Sequence, residues 1–260
     1  MNIHSSARDW DRFDPVVKSK IQLLIWRGWH FSKWLLRGGN YPRPVIKPHA
    51  DLRGLHRALR QSKTSISIVD FGGASAAGNS VLRASTVGRL ARVSAKSTRQ
   101  AGALAALVEA AEAEHVLELG TCLGTTAACL AAVPHRPHIM TIEGDPGLAE
   151  MARENIKGLR QGLNVEVVEG EISLVLPEVV ARHTWDLVFI DGHHCSEALR
   201  WQLACIIPHL SPDSVVVIDD IYWSRDMHDG WLQQLGSGNF QRSFDAFHFG
   251  VLWRSVPLQT

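Results

Sequence analysis

The stretch Val116-Leu-Glu-Leu-Gly-Thr-Cys-Leu-Gly124 combines a short apolar run with two glycines that three residues separate. This pattern predicts a buried strand, residues 115–120, that turns sharply at Gly120 and continues into a helix, residues 125–132. Gly124 is expected to let that helix approach the strand. A dinucleotide fingerprint needs the spacing G-x-G-x-x-G, which this turn lacks, so an NAD site is not predicted.

Strands and helices alternate around this turn and beyond it. We predict helices at residues 101–113, 146–159, 174–182 and 197–207, and strands at residues 139–143, 165–168, 185–191 and 214–219. Such alternation is typical of a largely parallel sheet. Residues 240–249 and 251–254 resemble two strands around Gly250 with no helix between them, which predicts an antiparallel pair. The predicted fold class is α/β: a Rossmann-like, mainly parallel sheet with an antiparallel C-terminal strand pair, plus an N-terminal helical extension.

The first hundred residues follow a different pattern. Residues 1–40 are predicted to be helical up to Gly38-Gly39-Asn40, and residues 65–70 to form a short strand. Residues 80–98 are predicted to form a basic amphipathic helix or a pair of helices. We therefore divide the chain into an N-terminal helical, lid and substrate-side segment, residues 1–98, and a ligand-binding domain, residues 99–260.

The N-terminal segment contains a Trp-rich stretch, residues 21–36. A transmembrane helix needs about 20 apolar residues, and Arg27, His30 and Lys33 interrupt this stretch. Three interpretations stay open: a helix on a bilayer surface, a homodimer contact, or a lid over the active site. Contacts within the protein or in a homodimer are favoured over the membrane, because buried apolar helices are commoner than interfacial ones.

Composition narrows the class of protein. The chain is 45% hydrophobic and 20% charged with a formal net charge of +1, as in an ordinary globular protein, and predicts no nucleic-acid partner. The four cysteines show no C-x-x-C spacing and no secretory signal opens the sequence. We therefore expect a cytoplasmic location.

Carboxylates stand at or near the ends of nearly all these predicted strands: Glu118, Glu143, Glu171, Asp191 and Asp219-Asp220. In open α/β sheets, ligands bind outside the carboxyl ends of the strands, so this series predicts a pocket rim. Glu143, which ends the second strand of this alternating region, is placed to bind both hydroxyls of a ribose. The alternative is that Glu143 caps the helix that opens at Asp145-Pro146.

Four segments together resemble the successive motifs of the class I S-adenosylmethionine-dependent methyltransferases. They are Val116-Leu-Glu-Leu-Gly-Thr-Cys-Leu-Gly124, Thr141-Ile-Glu-Gly-Asp-Pro146, Leu187-Val-Phe-Ile-Asp-Gly-His-His194 and Val217-Ile-Asp-Asp-Ile-Tyr-Trp223. Within that class the chain is most similar to catechol-type and other small-molecule O-methyltransferases, over residues 99–254. The resemblance implies that the domain 99–260 binds S-adenosylmethionine and methylates a small molecule.

The resemblance also implies roles for single residues. Glu118 and Gly120 would line the methionine portion of the cofactor, with Thr121 and Gly124 in the same turn. Glu143 would hold the ribose, and Glu171 and Ile172 would lie beside the adenine. The resemblance implies that Asp191 contacts the cofactor and also takes part in catalysis.

Asp191, Asp219 and Asp220 fall where catechol-type enzymes hold a divalent cation, and three carboxylates suit Mg²⁺. Asp220 stands where those enzymes usually have an amide, which adds a negative charge. His194 falls at the position of a basic lysine and is our candidate catalytic base. The alternative is that Asp219 or Asp220 caps a helix near Ser224 and His194 only packs nearby.

These residues favour O-methylation of a small hydroxylated metabolite, with a base or a metal deprotonating the hydroxyl group. Two other functions stay open: methylation of nitrogen or of a protein, and a non-catalytic cofactor-binding module whose N-terminal helix recruits a partner or membrane. Zinc at His193-His194 with Cys195 is disfavoured, because adjacent residues rarely ligate one ion.

Overall fold

The central sheet is built from the predicted alternating region. A computed structural model describes residues 50–70, 81–159, 162–246 and 248–254. The strands in these ranges are β1 (Ser65–Asp70), β2 (Val81–Thr86), β3 (His115–Leu119), β4 (His138–Glu143), β5 (Val165–Glu169), β6 (Trp185–Ile190), β7 (Leu210–Asp219), β8 (Arg242–Asp245) and β9 (Phe249–Trp253). In the described ranges, seven of them form one sheet in the order β5-β4-β3-β6-β7-β9-β8.

The five strands from β5 to β7 are parallel, and β9 and β8 pair antiparallel at one edge. The apolar runs in β6 and β7 are buried and lie side by side, with Leu187 opposite Val215 and Ile190 opposite Ile218. The predicted Rossmann-like fold with an antiparallel C-terminal strand pair is confirmed.

Helices cover both faces of this sheet. They are α1 (Ala50–Gln61), α2 (Val87–Val93), α3 (Thr98–Ala110), α4 (Thr125–Ala131), α5 (Pro146–Lys157), α6 (Ile172–Val180), α7 (Ser196–Ile206) and α8 (Arg225–Leu235). Because side chains alternate along a strand, Leu117 and Leu119 of β3 face a core shared with α6, α7 and α8, whereas Val116 faces a core shared with α3 and α4.

The C-terminal strand pair differs from its prediction in one position. The break between the strands falls before Phe249, and Gly250 lies inside β9, opposite Ile218 and Asp245. A Cβ atom on Gly250 would lie 2.5–2.9 Å from ring atoms of Trp231, a buried side chain of α8. Gly250 is therefore needed for close packing of α8 on the sheet, and not for a turn.

The described part of the N-terminal segment corrects one prediction and matches another. Residues 81–86, which we predicted to be helical, form β2 and pair antiparallel with β1, the strand predicted at residues 65–70. Thr86 ends β2 and caps α2 by accepting a hydrogen bond from the backbone N–H of Arg89. Within the described ranges, no helix has the length and apolar character needed to cross a bilayer. The predictions for residues 1–40, including the Trp-rich stretch 21–36, lie outside the described residues.

Two glycine substitutions test this packing. Gly250→Ala should lower the free energy of unfolding by about 1–3 kcal/mol, because the new methyl group overpacks against Trp231. Gly54→Ala, on an exposed position of α1 with no atom within 4 Å of the new Cβ, should raise it by about 0.4–1 kcal/mol. Urea unfolding measures both values. Equal stability of the two variants would contradict the proposed contact.

Candidate functional site

The candidate site lies at the carboxyl edge of the parallel strands. The chain runs outward from β3 through β4 to β5 on one side, and from β6 to β7 on the other. The switch point between β3 and β6 is the place where open α/β sheets bind their ligands. Gly120 follows β3 and Asp191 follows β6, so both lie at this point.

The turn after β3 is held against the end of β6. Gly120 has a φ of 98°, and its N–H donates to the carbonyl of Ile142 at 3.0 Å. A Cβ atom on Gly120 would lie 2.4 Å from the backbone oxygen of Asp191. A side chain here would therefore push the ends of β3 and β6 apart.

Gly124 begins α4 with a φ of 74°. A Cβ atom on Gly124 would lie 3.0–3.3 Å from atoms of Ala152 and Ile156 on α5. The glycine lets α4 approach α5, and not the strand as we predicted.

Glu118 lies in a buried polar network beneath this turn. Its Oε2 accepts a 2.6 Å hydrogen bond from Thr141 Oγ1, which lies 2.7 Å from Thr121 Oγ1. Glu118 Oε1 is buried and has no hydrogen-bond partner among the described residues. Burial raises the pKa of Glu118 from 4.5 to about 8, against the lowering effect of the bond from Thr141. The site therefore holds a buried carboxyl oxygen without a partner, next to the turn that the resemblance gives to the cofactor.

Glu143 connects two loops at the end of β4. Its Oε2 accepts from the backbone N–H of Cys122 at 2.7 Å, and its Oε1 accepts from the N–H of Asp145 at 3.0 Å. The cap of α5 is Asp145 itself, which accepts from the N–H of Leu148 at 2.7 Å. Burial raises the pKa of Glu143. Each carboxylate oxygen has a second lone pair, so Glu143 can still accept hydrogen bonds from a ligand.

The predicted adenine-side residues lie at the start of α6. Glu171 occupies the N-cap position, and its side chain accepts from Ser173 Oγ. Ile172 is buried, and its Cδ1 would lie 2.8 Å from a Cβ on Gly192. Ile172 therefore packs directly against the loop that follows Asp191.

A lysine that the sequence motifs did not include lies between two of the predicted metal ligands. Lys96 Nζ lies 3.0 Å from both carboxylate oxygens of Asp191 and forms an ion pair with Asp219 Oδ2. The exposed fraction of the side chain is 11% for Lys96, 16% for Asp191 and 1% for Asp219. Burial alone would lower the pKa of Lys96, but the two carboxylates outweigh it and raise that pKa.

Asp220 and His194 lie beside this cluster. Asp220 has a φ of 51°, and its N–H donates to the carbonyl of His248 at 2.9 Å. The His194 ring lies 5.6 Å from the ring of Trp223, centre to centre. Burial lowers the pKa of His194, although Asp220 and Asp219 act in the opposite direction. The cap of α8 is Ser224, so neither aspartate caps that helix with its side chain.

The predicted metal ligands do not form a three-ligand cluster. Among the described residues, the one group of three whose ligand atoms lie within 4.8 Å of one another is His115, His138 and His183, at the opposite edge of the sheet. The rings of His115 and His183 stack at 4.4 Å with planes 18° apart, so their nitrogen lone pairs do not meet at one ion. In the structure, Asp191 and Asp219 form a pair of carboxylates around Lys96. The metal site at Asp191, Asp219 and Asp220 stays a prediction.

Comparison with known proteins agrees with this geometry. Residues 117–221 match a family model described as a methyltransferase domain. Two curated catechol O-methyltransferases are similar to the chain. That of Niastella koreensis is 30% identical over 131 residues (48% of this chain and 57% of the relative), and that of Mycobacterium tuberculosis is 33% identical over 141 residues (54% and 62%). The chain thus spans about three fifths of these relatives' length.

Solved structures show the same fold. Cofactor-bound Rv0187 from Mycobacterium tuberculosis has a TM-score of 0.52 at 28% identity, covering 62% of this chain and 82% of that one. The O-methyltransferase TomG from Streptomyces achromogenes, in complex with S-adenosylmethionine, has a TM-score of 0.55 at 21% identity, covering 63% and 82%.

No sequence motif marks Lys96, which is one of several basic residues in the predicted helix 80–98. Lys96 lies outside the methyltransferase motifs, and its partners are 95 and 123 positions away. The sequence did contain one signal: an excess of adjacent strand-end carboxylates, which need a positive charge to be stable together.

The raised pKa of Glu118 gives a pH test. Between about pH 4.5 and 8 the folded protein keeps a proton on Glu118 that the unfolded chain has lost, so this group makes stability fall as the pH rises through that range. The side chain of Glu118→Gln stays neutral, so the free energy of unfolding of this variant should fall less over the same pH range. The two proteins should differ in this fall by a few kcal/mol at most. Urea unfolding of the ligand-free protein at pH 5, 6.5 and 8 measures this. Parallel profiles for the two proteins would show that Glu118 is ionised when folded.

Proposed function

We propose that the chain is an S-adenosylmethionine-dependent O-methyltransferase that acts on a small hydroxylated metabolite. One observation carries the proposal: the glycine turn implied for the cofactor touches the end of the strand that bears the candidate acceptor-side residues. Gly120 packs on the backbone of Asp191, whose side chain is part of the polar cluster with Asp219 and Lys96. The names of the relatives support the same reaction class.

The cofactor side fits a ligand with an amino acid and a ribose. The unpartnered Glu118 Oε1 can accept from an ammonium group once Glu118 gives up its proton, and Glu143 supplies acceptors for ribose hydroxyls. Ile172 supplies an apolar surface for a base. S-adenosylmethionine supplies, when bound, a methyl group on a positively charged sulfur. The task of the protein is to hold an oxygen in line with that methyl group and to exclude water.

The acceptor side holds groups that can orient a hydroxyl and take its proton. Burial lowers the pKa of His194 and so favours the neutral imidazole, which can accept the proton. Trp223, whose side chain is 60% exposed, flanks His194 and presents an apolar face to a small acceptor. Ion pairs with Asp191 and Asp219 hold the ammonium group of Lys96 next to these two carboxylates.

The Mg²⁺ ion that the resemblance implies is not a part of this proposal. The carboxylates that would hold it already bind an ammonium group, and Asp220 is not a third partner of that group in the structure. The homodimer contact, the lid and the membrane contact predicted from residues 21–36 stay predictions.

Purified protein incubated with methyl-labelled S-adenosylmethionine and a panel of phenols, sugars and amines tests the function. We expect label on oxygen of a hydroxylated acceptor, identified by mass spectrometry, and no competition by NAD. Label on amines alone would favour nitrogen methylation. Cofactor binding without transfer to any acceptor, or to protein, would favour a non-catalytic module.

His194→Ala should lower the catalytic rate by roughly 10²–10⁴, because the proton acceptor is lost, with little change in cofactor affinity. His209→Ala is the matched control, since His209 precedes β7 at the opposite edge of the sheet. Steady-state kinetics and calorimetry with S-adenosylmethionine measure the two effects. A normal rate in the His194 variant would remove this residue from catalysis.

Glu143→Ala should weaken binding of S-adenosylmethionine by about 1–3 kcal/mol, because a carboxylate acceptor is lost. Glu143→Gln keeps the shape and should lose less. Glu150→Ala, an exposed position on α5, controls for removal of a negative charge. Calorimetry measures the affinities, and a melting curve checks that the loops held by Glu143 remain folded. An unchanged affinity in a folded Glu143→Ala protein would exclude contact with the cofactor.

A further inference from the structure

The ammonium group of Lys96 occupies the space between the two carboxylates predicted to bind a metal. It contacts both oxygens of Asp191 and one oxygen of Asp219. A divalent cation bound to the same oxygens would lie at about 2.0–2.6 Å from them. Such an ion would lie against the ammonium group, and their like charges would repel at short range. The two cations are therefore alternatives at this position.

Several local contacts fix the position of Lys96. It lies in the short loop between α2 and α3, and its carbonyl oxygen is 3.0 Å from His56 Nε2 of α1. The N–H of Ser94 donates to the carbonyl of Leu90 at 2.8 Å. Ser97 begins α3 with a reciprocal capping arrangement with Gln100. Because the loop is held on both sides, the lysine side chain reaches the carboxylates from a defined backbone.

The hydrogen bonds of the ammonium group leave one donor unused. An ammonium group has three N–H donors, and among the described residues Lys96 donates to Asp191 and to Asp219. One N–H that is shared between the two oxygens of Asp191 and a second N–H on Asp219 leave the third donor for a further acceptor. Both carboxylates lie at the carboxyl edge of the sheet, where the candidate acceptor site is.

We propose that Lys96 is the resident cation of this site and takes the place of a divalent metal. Its ammonium group balances Asp191 and Asp219, and its remaining N–H holds the acceptor oxygen for methylation. This inference rests on the proposed function. It also narrows the acceptor class: a divalent cation can bind two adjacent hydroxyls at once, whereas one N–H holds one oxygen. A single hydroxyl group is therefore sufficient for recognition, and a vicinal pair is not needed.

Binding of Mn²⁺ alone, measured by electron paramagnetic resonance without cofactor or acceptor, tests the first part. The wild type and Lys63→Ala, an exposed lysine of the same segment, should bind Mn²⁺ weakly or not at all. Lys96→Ala should bind it at least tenfold more tightly, because the carboxylates have lost their cation. Adding Asp219→Asn to Lys96→Ala should abolish the gain. Lys96→Met, which keeps the length of the side chain, should behave as Lys96→Ala does and replaces it if the alanine variant does not fold.

Two results would overturn the inference. The first is Mn²⁺ binding to the wild type that Asp219→Asn removes, since Lys96 would then leave room for a metal. The second is an absence of Mn²⁺ binding in folded Lys96→Ala or Lys96→Met, since the carboxylates would then not form a cation site. Neither measurement uses S-adenosylmethionine or an acceptor, so a failure here is distinct from a failure of the proposed methyl transfer.

Turnover tests the second part once an acceptor is known. EDTA should leave the wild-type rate within twofold, and Lys96→Ala should lower it by at least tenfold while calorimetry shows unchanged cofactor affinity. Acceptors with one hydroxyl should be methylated as well as those with a vicinal pair. Loss of activity in EDTA that Mg²⁺ restores, or a strict need for vicinal hydroxyls, would overturn the role of Lys96.

Discussion

Two carboxylates that are largely removed from water, on neighbouring strands, impose the main constraint on this protein. The order of the sheet places the ends of β6 and β7 side by side, and with them Asp191 and Asp219. Two neighbouring carboxylate charges destabilise the folded state unless a proton or a cation compensates them. Lys96 provides that compensation from a loop outside the parallel sheet. The sheet and the segment that precedes it are thus joined by electrostatics as well as by packing.

A second polar contact joins the same two parts. Asp145, which caps α5, accepts a 2.7 Å hydrogen bond from the backbone N–H of Val69 in β1. Apolar side chains of α1 and α2, among them Leu59 and Leu90, pack with Leu148 of α5. The residues before 117 lie outside the matched family region, yet they complete the polar cluster. We therefore regard the loop that carries Lys96 as part of the proposed active site.

How far the sequence predicted the structure depended on the range of the interactions involved. The apolar run 187–190 and the glycine turn at Gly120 depend on local patterns, and the fold inferred from them is confirmed. The strand 81–86 was missed because its pairing with β1 is a tertiary contact that overrides its resemblance to a helix. Lys96 was missed for the same reason, since no local pattern marks a partner about a hundred residues away. The strand-end carboxylates were identified, but the ion that balances them was not.

The nature of that ion changes the proposed chemistry. Transfer of a methyl group from a positive sulfur to a negative oxygen removes both charges, so a site with little water favours the transition state over separated ions. A divalent cation stabilises the negative oxygen strongly, which lowers the pKa of the acceptor but also makes the oxygen less reactive. One N–H of an ammonium group stabilises the same oxygen less and lowers the pKa of the acceptor less. Removal of the proton then depends more on a general base such as His194. A lysine-centred site thus depends on proton transfer to a side chain, whereas a metal-centred site depends more on the cation.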